Sequence, residues 1–308
     1  MYLHENQNLF ANPIARLIDD YGMYAEAIEK DYYITLILKE LSERLPYIVF
    51  KGGTSLSKCH KVINRFSEDI DIAVDINLSQ GKKKKLKYTL VDIADELGLT
   101  ILNLDSTRSR RDCNRYEIAY KPLVLNTASS IAPLILLETS YTAISFPTTT
   151  LPVSCAIGEY ICSKSPQQAA QYGLQPFHMK VQELNRTLAD KVFAVCDYYL
   201  QKRIRKHSRH IYDIYKLYPL VPQDDFFKAL VAQVRAARKL SNICPSAQDG
   251  VDVPTLLQII IQEHAYEEDY HALTEKLLGE NIDYATAITA LEKIARSDIF
   301  ATNIPFAA

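Results

Sequence analysis

Nothing in the sequence approaches the roughly 18 consecutive apolar residues that a bilayer-spanning helix needs, so no membrane span is expected. The opening residues Met1-Tyr2-Leu3-His4-Glu5-Asn6 lack a basic stretch followed by an apolar one, and the expected location is cytoplasmic. Glycine and proline are sparse, 9 and 13 in 308 residues, which argues against low-complexity or disordered chain. The 6 cysteines (Cys59, Cys113, Cys155, Cys162, Cys196, Cys244) include no C-x-x-C pair, and no histidines stand at zinc-ligand spacing. A disulfide framework and a zinc module are therefore not expected, and the thiols read as reduced and mostly buried. A formal net charge of −2 argues against coating nucleic acid through bulk positive charge. No internal repeat is present either.

What is present is an ordinary globular composition, 48 % hydrophobic and 23 % charged, in a chain long enough for two packed lobes. Its cations are unevenly placed. Lys82, Lys83, Lys84, Lys85 and Lys87 form one cluster; Arg108, Arg110, Arg111 and Arg115 a second; Lys202, Arg203, Arg205, Lys206 and Arg209 a third. Each alone reads as a solvated face, and the three together point toward an anionic macromolecular partner.

Apolar residues recur at helical spacing from Asn12 to Arg44, interrupted around Tyr21-Gly22, which predicts two helices. Tyr47-Ile48-Val49-Phe50 reads as a buried strand ending at Gly52-Gly53, with a helix from Thr54 to Val62. Ile70 to Val74 alternates at period two and predicts a second strand, preceded by Ser67-Glu68-Asp69. A helix over Lys82–Leu97 follows, then strands at Thr100–Leu104, Arg115–Tyr120 and Leu134–Tyr141. After Pro152 the pattern predicts helices over Val181–Arg203, His207–Leu217, Asp224–Leu240, Val253–His264, Glu267–Leu278 and Tyr284–Ala295. The expectation is an α+β protein with a mixed sheet, divided into residues 1–150 and a mainly helical part, residues 151–308.

Asp69 and Asp71, one residue apart on extended chain, project to one face and can share divalent metal. Mg²⁺ favours such carboxylate oxygens together with phosphate, with Mn²⁺ the alternative; one ion can activate an attacking oxygen and a second stabilise departing pyrophosphate. A lone D-x-D is common by chance. Upstream, however, Phe50-Lys51-Gly52-Gly53-Thr54-Ser55 runs from strand through two glycines into a helix, exposing backbone N–H groups and the Thr54 and Ser55 hydroxyls to a triphosphate. G-x-x-x-x-G-K is absent, so this is not a P-loop. Ser67, two residues before Asp69, lies on the same side of the chain, and Lys58 and Arg65 are further candidates for phosphate contact. Glu138, ending the apolar Leu134–Leu137 run, is the candidate third carboxylate, with Glu117 its rival.

Lys51-Gly52-Gly53-Thr54-Ser55-Leu56-Ser57-Lys58 and Arg65-Phe66-Ser67-Glu68-Asp69-Ile70-Asp71-Ile72 resemble the AbiEii/AbiGii toxin family, polymerase-β-like nucleotidyltransferases that include the MenT-like toxins of type IV toxin–antitoxin systems. The resemblance extends to Glu29-Lys30-Asp31 and covers roughly residues 25–220. Two later motifs are matched by Leu188-Ala189-Asp190-Lys191 and Arg209-His210-Ile211-Tyr212-Asp213. The resemblance implies that Lys191 binds nucleotide phosphate and that Asp213 is a functional carboxylate. On pattern alone, Lys191 could equally face solvent and Asp213 could pair with Arg209. It also implies a polymerase-β-like lobe followed by a helical lobe, an NTP substrate, a toxin acting in phage defence, tRNA modified at its 3′ end, and a cognate antitoxin partner. Nucleotidylation of a protein or of a small molecule of the aminoglycoside kind is the alternative in the same chemistry, and an NTP-binding module without turnover the alternative outside it.

Overall fold

In the computed structural model, residues 1–123 and 131–301 are described, apart from the side chains of residues 142 and 143. The chain divides into two compact units: Met1–His60 with Ser67–Val181, and Lys61–Phe66 with Gln182–Ala308.

The first unit is built on a seven-stranded mixed sheet in the order β3-β4-β5-β2-β1-β7-β6. Its strands are β1 (Ile48–Lys51), β2 (Ile70–Val74), β3 (Thr100–Ile101), β4 (Cys113–Ala119), β5 (Leu134–Ile144), β6 (Thr148–Val153) and β7 (Phe177–Gln182). β1 and β2 run antiparallel, with Lys51 opposite Asp71 as the last pair, while β2 and β5 run parallel, with Asp71 opposite Glu138. Ile48, Val49 and Phe50 are all buried, as expected of a β-branched and aromatic strand inside a sheet covered on both faces.

Helices α1 (Gln7–Tyr21), α2 (Ala25–Arg44), α3 (Gly52–Lys58), α4 (Gln80–Glu96), α5 (Ala156–Lys164) and α6 (Pro166–Gln171) complete this unit. The Asn6 side chain caps α1 by accepting from Leu9 N, and Gly22 ends it in the left-handed conformation at φ 64°. α2 carries eleven buried residues, including three consecutive side chains of mixed character, Ile28, Glu29 and Lys30.

The second unit is helical: α7 (Leu184–Leu200), α8 (Arg209–Leu217), α9 (Asp225–Lys239), α10 (Val253–Gln262), the short α11 (Glu267–Asp269) continuing into a wide turn over Tyr270–Thr274, and α12 (Tyr284–Ala295). Asp224, Asp252 and Asp283 cap α9, α10 and α12 by accepting from Phe227 N, Thr255 N and Thr286 N. Leu188, Val192, Phe193, Ile211, Ile214, Leu257 and Leu291 are its buried apolar stripes.

The division differs from the expected one at residue 150. The first unit keeps residues through Val181 because β6 and β7 extend its sheet, β7 pairing in parallel with β1 through Phe50 and Val181. Pro152 falls inside β6, an edge strand, where a missing N–H is tolerated. On pattern alone that proline ends the sheet and a helix begins at Val181, whereas in the fold Val181 is strand.

Candidate active site

β1 and β2 are antiparallel, so the end of one meets the beginning of the other, and the Gly52-Gly53 turn and the Asp69–Asp71 segment lie together at one end of this inner strand pair. Lys51 is extended and Gly52 turns to φ 78°, a conformation that side chains resist. A Cβ at Gly52 would stand 1.9 Å from Asp71 Oδ2. The carboxylate therefore packs directly on the glycine turn. Gly53 follows in the first turn of α3 and is partly exposed.

The hydroxyls of α3 divide their work. Thr54 Oγ1 lies 2.9 Å from Ser67 Oγ, which ties the glycine turn to the residue two before Asp69. Ser55, fully buried, donates to Gly52 O at 2.9 Å, so its hydroxyl braces the turn from within. The Lys58 side chain is largely covered, pairs with Asp31 and donates to Ser154 O at 2.7 Å, which anchors the far end of α3.

α2 supplies the clamps. Successive helical residues fan out by about 100° each, and Glu29, Lys30 and Asp31 reach three different segments. Glu29 accepts from Leu123 N at 2.8 Å, Lys30 pairs with Glu68 beside Asp69, and Asp31 holds Lys58 and accepts from Ala156 N at 2.9 Å. The sequence alone assigns this tripeptide no role; its signal is three adjacent ionisable residues in a largely buried helix. Burial raises the Glu29 carboxyl to about 7.

Glu138 is aligned with Asp71 by strand register, and its carboxylate lies 3.7 Å from Arg115 across the β4–β5 pair. Glu117 sits opposite Leu136, two pairs further along the same ladder. Among the described residues no three His, Cys, Asp or Glu side chains gather as a metal cage. Mg²⁺ commonly takes one or two carboxylates together with substrate phosphate, so the hard oxygens of Asp69 and Asp71 beside the glycine turn fit an ion that arrives with a nucleotide.

The second unit holds Arg65, Lys191 and Asp213, all buried. Arg65 donates Nε and Nη2 to the two Asp213 oxygens, each at 2.7 Å, and Lys191 Nζ donates to Asp213 Oδ2 at 2.6 Å. Burial pushes the Asp213 carboxyl up, but the two cations outweigh it and hold it below the usual carboxylate range. Burial pulls the Lys191 ammonium down, opposed by Asp213. Arg65 also donates to Phe66 O at 3.1 Å, and Asn64 N donates to Tyr212 Oη at 2.9 Å. This ion network secures the six residues Lys61–Phe66, after which the chain continues into Ser67-Glu68-Asp69.

The model of the family described as "Nucleotidyl transferase AbiEii toxin, Type IV TA system" matches residues 36–296, which leaves Glu29-Lys30-Asp31 outside and takes in every helix of the second unit. No curated protein sequence matches the chain. Among solved structures, MenT4, nucleotidyltransferase toxin Rv2826c from Mycobacterium tuberculosis H37Rv, is similar with a TM-score of 0.61 at 16% identity, over 98% of this chain and 91% of that one. The fold is shared with that toxin, and the chain belongs to the AbiEii nucleotidyltransferase toxin family of type IV toxin–antitoxin systems.

Proposed function

We propose that this toxin transfers a nucleoside monophosphate from an NTP to the 3′ end of tRNA in the cytoplasm, blocking translation until a cognate antitoxin neutralises it, as one arm of phage defence. The observation that carries the reading is the packing of Asp71 on Gly52, which joins a glycine turn to a metal-competent carboxylate. In the reaction, an acceptor hydroxyl oxygen attacks the α-phosphorus and gives up its proton to solvent water. The bond from the α-phosphorus to the bridging oxygen breaks, and pyrophosphate leaves. Asp69 and Asp71 would hold Mg²⁺, which supplies positive charge to the phosphates as this exchange proceeds.

The remaining residues position the substrate. The bare Gly52 makes room for the Asp71 carboxylate, the backbone N–H groups of the Gly52-Gly53 turn are offered to phosphate oxygens, and Thr54 and Ser67 join their hydroxyls at the start of the same helix. Ser55 and Lys58 remain proposed nucleotide-binding residues, and their contacts with Gly52 O and Asp31 hold them at the turn and along α3. Glu138 is the proposed third carboxylate, which would exchange Arg115 for an ion when NTP binds. Lys191 and Asp213 are proposed as the functional pair of the second unit, Asp213 orienting Lys191 toward phosphate.

The purified protein is incubated with Mg²⁺, each labelled NTP in turn, and total cellular RNA and protein, then resolved on gels. Label in the tRNA band that disappears with a chelator is the expected result. Label confined to protein bands would overturn the tRNA assignment, and no transfer to any acceptor would overturn the reaction.

A further inference from the structure

The three cation clusters have different fates in the fold. In the first, Lys83 pairs with Asp112, Lys87 donates to Thr107 O at 2.9 Å, and Lys82 and Lys84 lie over the rings of Tyr47 and Tyr88. In the second, Arg108 and Arg111 bond carbonyls of their own turn, and Arg115 faces Glu138. The third forms the loop from α7 to α8. There Lys202, Arg203, Arg205 and Lys206 are all exposed, and among the described residues none of the four pairs with a carboxylate.

This loop is held in shape. Asp269 accepts from Lys206 N at 2.8 Å and from Ser208 N at 3.1 Å, and the Ser208 and Thr274 hydroxyls meet at 2.7 Å. Lys202 and Lys206 adopt φ 56° and 71°, left-handed values that cost a side-chain-bearing residue energy and persist only where neighbours enforce them. Beneath the loop, the rings of Tyr198 and His207 stack at 3.5 Å, with the Arg203 guanidinium 5.8 Å from the Tyr198 ring centre. Cations following a helix can simply answer its carbonyl end, but that effect fades within a turn and does not reach Arg205 and Lys206.

We infer that the α7–α8 loop, residues 201–208, is a preorganised docking surface for the phosphodiester backbone of an RNA acceptor. A polyanion fits better than a protein, whose interface core is apolar and depleted of charge, because every exposed residue between 202 and 206 is a cation. The loop works through position rather than chemistry: it adds affinity for acceptor and leaves the nucleotide step untouched. This inference rests on the reading of RNA as the acceptor.

The test compares bulk tRNA binding by the full chain with that of the double variant Arg205→Ser, Lys206→Gly across a salt series. Two lost phosphate contacts should lower the slope of log affinity against log salt by about 2. Affinity near 50 mM salt should fall by roughly tenfold or more, and KM for RNA should rise with kcat unchanged. Because glycine relieves φ 71° at position 206, the variant should melt no lower than wild type. Ile243 is exposed and its carbonyl accepts from Gln201, so a protein ligand on this face would use it, and Ile243→Ser is the second arm. An unchanged salt slope, tighter binding of polyglutamate than of tRNA, or RNA binding lost in Ile243→Ser but kept in the double variant would each overturn the inference. RNA labelled normally by a protein whose loop variants bind RNA unaltered would sink the loop and leave the proposed reaction standing. RNA bound through the loop but never labelled would do the reverse.

Discussion

Asp71 rests on the α-carbon of Gly52, close enough that a single added methyl group would stand 1.9 Å from its Oδ2. Gly52→Ala must therefore either displace the carboxylate or move the turn, in addition to holding alanine at φ 78°. Loss of about 1–3 kcal/mol of stability is expected. Transfer should drop by two orders of magnitude or more, since roughly an ångström of misplacement is enough for that. Urea titration with single-turnover transfer checks both, and an active, stable Gly52→Ala protein would show that the contact has no catalytic meaning.

Asp69→Asn and Asp71→Asn keep side-chain shape and remove a metal-binding charge, so both should abolish transfer with melting temperatures close to wild type. Glu138→Gln should instead raise the Mg²⁺ concentration for half-maximal rate, because Glu138 lies in register with Asp71 but starts out beside Arg115. A Mg²⁺ titration of the three variants separates the roles. Loss of all activity in Glu138→Gln with an unchanged metal requirement would remove Glu138 as a ligand.

Asp213 neutralises two buried cations, and its removal strands both. Asp213→Ala is expected to lose about 3–5 kcal/mol, the usual result of leaving buried charge uncompensated. Lys191→Met removes one charge and leaves the two-pronged Arg65–Asp213 pair whole, so it should unfold near the wild-type urea midpoint. Its NTP affinity then becomes interpretable. Weaker NTP binding in stably folded Lys191→Met supports a nucleotide contact; unaltered affinity and rate would confine Lys191 to the ion network.

His207 and His210 carry Nδ1 atoms that are buried without a partner among the described residues. Burial, with Arg209 and Arg203 adding to it, lowers His207 to about 4, and burial, with Lys191 next, places His210 well below the ordinary value. Both folded values lie under the unfolded 6.5, so the unfolded chain takes protons first as pH drops. The stability is thus complete above pH 6.5 and lost as pH falls from 6.5 toward 4. His210 contributes more of this loss than His207, whose partial exposure screens it. Melting curves from pH 7.5 to 5 should fall, and His207→Phe, which keeps a ring against Tyr198, should flatten the fall. A flat wild-type profile would contradict the burial of these rings.

Local signals carried much of this structure. Alternation over Ile70–Val74, the strand into Gly52-Gly53 and the helical spacing after residue 184 follow from side-chain period and backbone freedom, properties each segment holds alone. Strand partners are not such a property. The alternation Phe177-His178-Met179-Lys180-Val181-Gln182 marks β7 as a strand, but nothing in those six residues shows that its partner is β1, in parallel. The same limit applies to the site: spacing put Asp69 and Asp71 together, but whether a lysine faces solvent, a carboxylate or phosphate depends on what the fold brings within 3 Å. Lys58, Arg65 and Lys191 are phosphate candidates by sequence, and all have carboxylate partners within their own unit.

The segment Lys61–Phe66 leaves the first unit, joins the second through Arg65↔Leu278 and Arg65–Asp213, and returns. Neither unit is a continuous stretch of chain. On a ribosome, residues 61–66 emerge early yet must wait for Asp213 and Leu278, more than two hundred residues later in the second case, before their bonds can form. Closing loops of that length is entropically costly and slow. A fragment cut at residue 181 would retain the glycine turn and both carboxylates but hold Arg65 without Asp213, while the fragment from 182 onward would keep Lys191 and Asp213 without their guanidinium. Separately expressed halves are therefore expected to fold poorly, and to recover only when mixed.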